Sequence, residues 1–227
     1  MILYAIPTPL GAAPEAALPA PALAKIRALK DFAVENARSA RAFLGALDMP
    51  VRELSIEVLG DDVSAHLKGR DLGLLSEAGC PAIADPGAKL IEAAHAAGYR
   101  VVPLVGPSSI TLALMASGLE GQRFAFCGYL PRDSSQRKDR IKALENRSRR
   151  EAETEIFIET PYRNDALLAA LLESCAPETR LCVTADLTLP AETIKSQSIA
   201  AWRSSRIALG KRPAVFLLLA QPQRRAQ

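Results

Sequence analysis

The stretch from Leu72 to Pro103 constrains this chain more than any other. An apolar run, Leu72–Ser76, opens into a Gly/Pro-rich loop, Ser76–Gly87. A helical segment, Lys89–Ala97, then stops at Gly98, and a second apolar run follows at Arg100–Pro103. Strand, loop, helix and strand in so short a span form a βαβ unit, whose strands lie parallel and whose crossover is right-handed. The preceding residues repeat that rhythm. Strands are expected at Ile2–Ile6, Phe32–Glu35 and Glu53–Val58, and helices at Ala22–Lys30 and Arg38–Leu47. Residues 11–21 (GAAPEAALPAP) are too rich in Pro and Ala for a strand and read as a loop.

Near Gly118–Gly121 the pattern changes. Strands are expected at Phe124–Tyr129, Glu155–Glu159, Leu181–Ala185, Glu192–Ser198 and Ala214–Leu219, with helices at Gln136–Asn146 and Ala166–Ser174. Strands that follow one another closely can pair antiparallel, so a mixed sheet is expected here. The reading is an α/β protein of two α/β domains, residues 1–118 with a mainly parallel sheet and residues 119–227 with a mixed sheet. A length of 227 residues suits two such domains. With 49% hydrophobic and 23% charged residues the chain can bury full cores, and 5% aromatic content favours helices on sheets over a β-sandwich.

Several classes are disfavoured. Cys80, Cys127, Cys175 and Cys182 form no Cys-x-x-Cys pair and only His66 and His95 accompany them, so neither a metal site nor disulfides are expected. The opening MILYAIPTPLG lacks the basic region and long apolar run of a secretory signal. The most apolar run, Ala214–Ala220, is too short to cross a membrane. A soluble, cytoplasmic protein is the expectation.

The net charge of +3 hides an uneven distribution. Residues 131–150 hold eight Lys/Arg against three Asp/Glu, and from Thr193 onward there are seven basic residues and no acidic ones. Such stretches attract polyanions. They also occur as solvated helix faces and tails.

Two loops have the composition of ligand-binding turns. In open α/β sheets ligands bind beyond the carboxyl ends of strands. Ser76-Glu77-Ala78-Gly79-Cys80-Pro81 and Asp85-Pro86-Gly87 occupy one such place, with small residues that let a ligand approach the backbone. Gly106-Pro107-Ser108-Ser109 occupy another, with Ser108 placed to cap the helix that follows. Each loop alone is equally readable as an ordinary βα turn.

Taken in order, seven blocks resemble the tetrapyrrole-methylase superfamily. They are Ala5–Gly11 (AIPTPLG), Ser76–Gly87, Gly106–Ser109, Ala116–Leu119 (ASGL), Gly128–Arg132 (GYLPR), Glu159–Arg163 (ETPYR) and Asp186–Thr188 (DLT). The chain is most similar to the branch containing the small-subunit ribosomal RNA 2′-O-ribose methyltransferase I. That resemblance implies an S-adenosyl-L-methionine-dependent methyltransferase, usually a homodimer, with the cofactor held between two α/β domains. Carried onto matching positions, it implies cofactor contacts from Leu10, Gly79, Ile83, Ser108 and Ser109 in the first domain. Tyr162, Leu187, Thr188, Pro213 and Ala214 are the corresponding candidates in the second.

Methylation of a ribose hydroxyl needs orientation and help with proton loss. The candidates for that help are Glu35, Glu77, Asp85 and Glu159, each with a structural alternative; Asp85 can serve a turn and Glu159 can pair with Arg163. No catalytic residue is singled out. His66 and His95 fall on helical stretches away from these loops.

The chain departs from the branch on the acceptor side. Where the branch has Glu-Asp-Thr-Arg-His this chain reads Glu35-Asn36-Ala37-Arg38-Ser39. Where the branch has a His-Glu-His-Asn block the chain reads RELSIEVLGDD, Arg52–Asp62. The alternatives are therefore ribosomal RNA or the small subunit as substrate, a small-molecule or tetrapyrrole-like acceptor, or cofactor binding without catalysis.

Overall fold

The computed structural model describes residues 1–205 and 207–221. The chain divides into two compact units, Met1–Ser108 and Ser109–Gln227.

The first unit holds β1 (Ile2–Ile6), α1 (Pro14–Ala17), α2 (Ala20–Arg27), β2 (Asp31–Val34), α3 (Ala37–Ala46), β3 (Ser55–Val58), β4 (Leu72–Leu75), α4 (Ala88–Ala96) and β5 (Arg100–Pro103). All five strands run parallel, in the order β3-β2-β4-β1-β5. Alternation of side chains sends Tyr4, Ile6, Phe32 and Val34 to one face, under Leu23, Ile26 and Leu44 of α2 and α3. Leu3, Ala33, Leu72 and Leu74 point to the other face, beneath Leu90 and Ala94 of α4. Connections leaving β1 run towards β2 and those leaving β4 run towards β5, so the two central neighbours open a topological switch point at their carboxyl ends.

One expectation here is corrected. The Ala/Pro-rich stretch is not all loop. It contains α1 and the start of α2, each with Pro in its first turn, where the missing N–H costs nothing.

The second unit holds α5 (Ser109–Ser117), β6 (Phe124–Tyr129), α6 (Ser134–Glu151), β7 (Thr154–Ile158), α7 (Asn164–Ser174), β8 (Arg180–Ala185), β9 (Thr193–Ser198), α8 (Ile199–Arg203) and β10 (Ala214–Leu219). Its sheet is mixed, in the order β6-β7-β10-β8-β9. β6 and β7 are parallel, and β10 runs antiparallel to both β7 and β8. Helices α6, α7 and α8 cover one face through Ile141, Leu144, Leu167, Leu171 and Trp202; α5 packs on β8, β9 and β10.

The basic helix is longer than its apolar residues suggest. Asp133 caps its start by accepting from Gln136 N at 2.9 Å, and Ala152 closes it in a left-handed turn at φ 51°. Its last turn is tied down by buried Ser148, which donates to Glu153 O at 2.7 Å and accepts from Ala220 N at 2.9 Å. Helix α8 was not legible as a separate element. It exists because Ser198 caps it and Trp202 buries its ring while donating to Leu181 O at 2.8 Å.

Candidate active site

In the first unit three loops meet at Gly79. Beyond the ends of β1 and β4, Thr8 and Gly79 exchange two backbone hydrogen bonds, of 2.8 and 3.0 Å. Gly79 has φ +78°, a conformation that glycine adopts without strain. A Cβ placed on it would lie 3.5 Å from Leu10 Cδ2 and 3.9 Å from Pro107 O, so the bare Cα faces a space bordered by the loops after β1 and β5. Cys80 Sγ reaches Pro107 O at 3.5 Å. The third loop is pressed close, since a Cβ on Gly106 would meet Pro7 Cβ at 2.5 Å.

Leu10, Gly79 and the residues leading to Ser108 are thus brought together. Ile83 stands half exposed further along the Gly79 loop. Ser108 directly precedes α5, in the position of a cap, and Ser109 is the first residue of that helix.

In the second unit the candidates also gather at one end of a sheet. The register Ala214↔Ala185 and Val215↔Ile158 sets the start of β10 beside the ends of β8 and β7. Tyr162, Leu187, Thr188, Pro213 and Ala214 therefore belong to one group of loops. Tyr162 and Thr188 are exposed, with Lys211 Nζ 5.0 Å from the Tyr162 ring centre. Leu187 and Ala214 are buried, which leaves mainly their backbone for a ligand.

The sequence reading missed the residues that hold these loops. Asn164 Nδ2 donates to Arg212 O at 2.7 Å, and Asp165 accepts from Leu209 N at 2.7 Å and Gly210 N at 3.2 Å. Asp186 accepts from Arg212 Nε at 2.5 Å, while its own N–H donates to Pro213 O at 3.0 Å. Asn164 and Asp165 follow the Glu-Thr-Pro-Tyr-Arg block directly, and two short polar residues opening a helix were the available signal.

Backbone strain marks both places. Of six non-glycine residues with positive φ among those described, Ala82 and Ala84 lie in the Gly79 loop, and Asp186 and Thr188 lie in the loop after β8. Left-handed conformations are costly for alanine and more so for β-branched threonine, and such strain concentrates at ligand-binding sites. Three buried side-chain oxygens at this end of the second sheet also lack a donor: Glu159 Oε2, Asn164 Oδ1 and Thr184 Oγ1. Unpaired buried acceptors are uncommon in a finished site, and they suit a ligand bearing amino groups.

The four acidic candidates fall in different surroundings. Glu159 is buried, with Arg163 Nη2 at 2.5 Å and Thr160 N at 2.6 Å, the expected pairing. Glu35 accepts from Glu77 N at 3.0 Å, which links the loops after β2 and β4. Asp85 is half-buried. Loss of solvent, then the nearby charges of Glu35 and Glu77, raise its pKa to about 6, against a smaller lowering by a hydrogen bond from Ser76. His66 lies in a short helical turn, 3.4 Å from Glu57, and His95 lies on α4.

Two α/β units, each with strained loops at the end of its sheet, define the class of fold. The residues 12–201 match the family model for tetrapyrrole (corrin/porphyrin) methylases, and the chain belongs to that family. It is a methyltransferase. Among relatives, the ribosomal RNA small subunit methyltransferase I of Vibrio cholerae is 33% identical over 205 residues, covering 88% of this chain and 69% of that protein. The protein of the same name from Escherichia coli O157:H7 is 35% identical, covering 85% and 67%. Of the solved structures, diphthine synthase matches with a TM-score of 0.69 at 16% identity, over 97% of this chain and 90% of that one. The methyltransferase CobJ matches at 0.64 and 18%, over 100% and 96%. These two likenesses concern the fold alone.

Proposed function

We propose that this chain methylates a ribose 2′-hydroxyl of small-subunit ribosomal RNA with S-adenosyl-L-methionine as donor. The observation that carries this reading is the gathering of the ten family-matched residues at strand ends within each unit, on strained loops. The names of relatives about one-third identical over most of the chain supply the substrate. The residues present fit the donor. The bare Gly79 Cα offers close backbone approach, exposed Tyr162 offers an aromatic face, and the unpaired acceptors suit amino groups. Contacts are assigned to Leu10, Gly79, Ile83 and Ser108 in the first unit and to Ser109, Tyr162, Leu187, Thr188, Pro213 and Ala214 in the second.

When bound, S-adenosyl-L-methionine supplies a methyl group on a sulfonium ion, which needs no metal to be reactive. The chain's own task is orientation, because a displacement gains most of its rate from alignment of the reacting atoms. The clamp of Asn164, Asp165 and Asp186 on residues 209–213 keeps that end of the site fixed.

RNA contact is assigned to Arg132, Arg140 and Lys142. The other five basic residues of the basic segment are already engaged. Arg137 is buried against Arg132 O, Lys138 pairs with Glu173, Arg147 with Glu153 and Glu155, Arg149 with Glu145, and Arg150 with Glu151. A homodimer and a cytoplasmic location complete the proposal. Among the described residues no helix is long and apolar enough to cross a membrane.

Calorimetric titration with S-adenosyl-L-methionine and transfer of labelled methyl into 30S subunits lacking the modification test the reading together. Binding with 2′-O-methylation of the 16S RNA is expected. Binding without transfer would favour the second reading, a different acceptor, for which the altered Arg52–Asp62 block speaks. Static light scattering tests the dimer.

A further inference from the structure

A cavity of the first unit lies beside, and not at, the Gly79 meeting point. It encloses about 400 Å³ and is bordered by Leu59, Asp61 and Val63 after β3, and by Asp85, Lys89 and Leu90 at the entry to α4. Both borders lie at the carboxyl edge of the parallel sheet, where ligands bind in such folds. The volume is that of a pocket for one small organic group. Its walls are apolar while Asp61, Asp85 and Lys89 supply polar atoms, and no ion pair among the described residues engages any of the three.

Two links tie this cavity to the chemistry. Asp85 and Gly79 belong to one loop, Ser76–Gly87, so a single strained segment serves both places. The other border, Leu59–Asp61, is the end of the block in which this chain differs from the branch it resembles. One wall is thus held by the loop that carries Gly79 and the other by the end of a separate strand, so a group seated here lies beside the first-unit candidates for the donor.

We propose that this cavity receives the acceptor ribonucleoside and that Asp85 is a catalytic residue, taking the proton of the sugar hydroxyl as it is methylated. The proposal rests on the reading above of a ribose acceptor. In the step, the hydroxyl oxygen gains the methyl group, the sulfonium sulfur keeps the bonding pair, and the hydroxyl proton passes to a carboxylate oxygen of Asp85. The surroundings suit a base. Glu35 and Glu77 face Asp85 from the loops after β2 and β4, and Asp61 and Lys89 share the cavity wall. Loss of solvent, and after it the charges of Glu35 and Glu77, make the carboxylate more ready to accept a proton than an isolated aspartate, yet leave it ionised at neutral pH.

The test uses the full chain and the variants D85N and D85E. In single-turnover transfer to unmodified 30S subunits, D85N is expected to slow methylation by about 100-fold or more. Its affinity for S-adenosyl-L-methionine, read by calorimetry, stays within about threefold. The wild-type rate rises with pH through about 6, that rise is absent from D85N, and D85E recovers part of the rate. Independently, in methyl-labelled protein a short oligoribonucleotide shifts the resonances of Leu59, Val63 and Leu90, and its 2′-deoxy counterpart does so more weakly. A D85N rate near that of the wild type, or the same pH limb in D85N, overturns Asp85 as the base. Absence of those shifts at millimolar oligonucleotide overturns the pocket even where 30S methylation succeeds. If the oligoribonucleotide shifts them while wild-type protein leaves 30S subunits unmethylated, the pocket stands and the ribosomal reading falls.

Discussion

The two units of this chain bury very different interiors. Among the described residues of the first, the buried polar side chains are Thr8 and Ser76, and both belong to the candidate site. The second buries ten, including Arg137, Glu145, Glu155 and Glu159. The reason lies in what each sheet has to hold. A parallel sheet is covered on both faces, and α2, α3 and α4 bring Leu23, Ile26, Leu44 and Leu90 for that purpose. Helix α6 brings little more than Ile141 and Leu144 in eighteen residues. It is fastened instead by charge. Arg147 Nη2 and Nε fork onto Glu155, whose side chain is fully buried, and Glu145 accepts from Thr179 Oγ1 and from Ala176 N at 2.8 Å. The lesson is that a helix can be seated chiefly by apolar burial in one half of a chain and with the help of a buried ion pair in the other.

That contrast can be broken most directly at Arg147. Removing one partner strands the other charge, so R147A is expected to destabilise the protein by about 3 kcal/mol in urea denaturation. A loss below about 1 kcal/mol would mean that the pair behaves as a surface salt bridge. N164A tests the loop clamp. It should cost about 2 kcal/mol through the stranded Arg212 carbonyl and weaken S-adenosyl-L-methionine binding in calorimetry, whereas an unchanged affinity would detach the clamp from the site.

In the first unit the corresponding weak point is backbone. G79A should cost about 1 kcal/mol, because the left-handed conformation disfavours a Cβ, and the added methyl should reduce cofactor affinity. A G79A protein with wild-type affinity would show that the bare Cα is not used. The smallest effect is expected at Asp85. Its folded pKa of about 6 lies above the ordinary 3.8, so the folded state favours the proton more than the unfolded state does. The stability this confers is complete below about pH 4 and is lost as pH rises through about 6. D85N should therefore melt a degree or two above the wild type at pH 7.5, and the gap should close by pH 4. A gap of the opposite sign at pH 7.5 would show that the carboxylate is held by partners.

Much of this was legible beforehand. The strands at Ile2–Ile6, Arg100–Pro103, Phe124–Tyr129 and Ala214–Leu219 fall where the apolar runs set them, and the others shift by a residue or two at their ends. The Gly/Pro-rich loops that follow β4 and β5 were legible as loops as well, because small residues after a strand are a local signature. The binding clamp was not, since Asn164 and Asp165 act on residues 209–213, far along the chain. Nor was the role of the basic segment. Of its eight cations, Lys138 and Arg147 find partners outside the helix, at Glu173 and at Glu153 and Glu155, that packing supplies.

The sequence by itself determined most of the elements and their order, though not α1 or α8, together with the parallel character of the first sheet and the family. These rest on periodicity and on blocks of a few residues, which local sterics and burial decode. Only the tertiary structure decided that β1 lies beside β4, so that Thr8 and Gly79 join two distant loops. It alone brought Leu59–Val63 against Asp85–Leu90 to leave a cavity, and buried Glu155 under Arg147. Each depends on which distant segments share a sheet or a face, and that choice is made by the whole core at once.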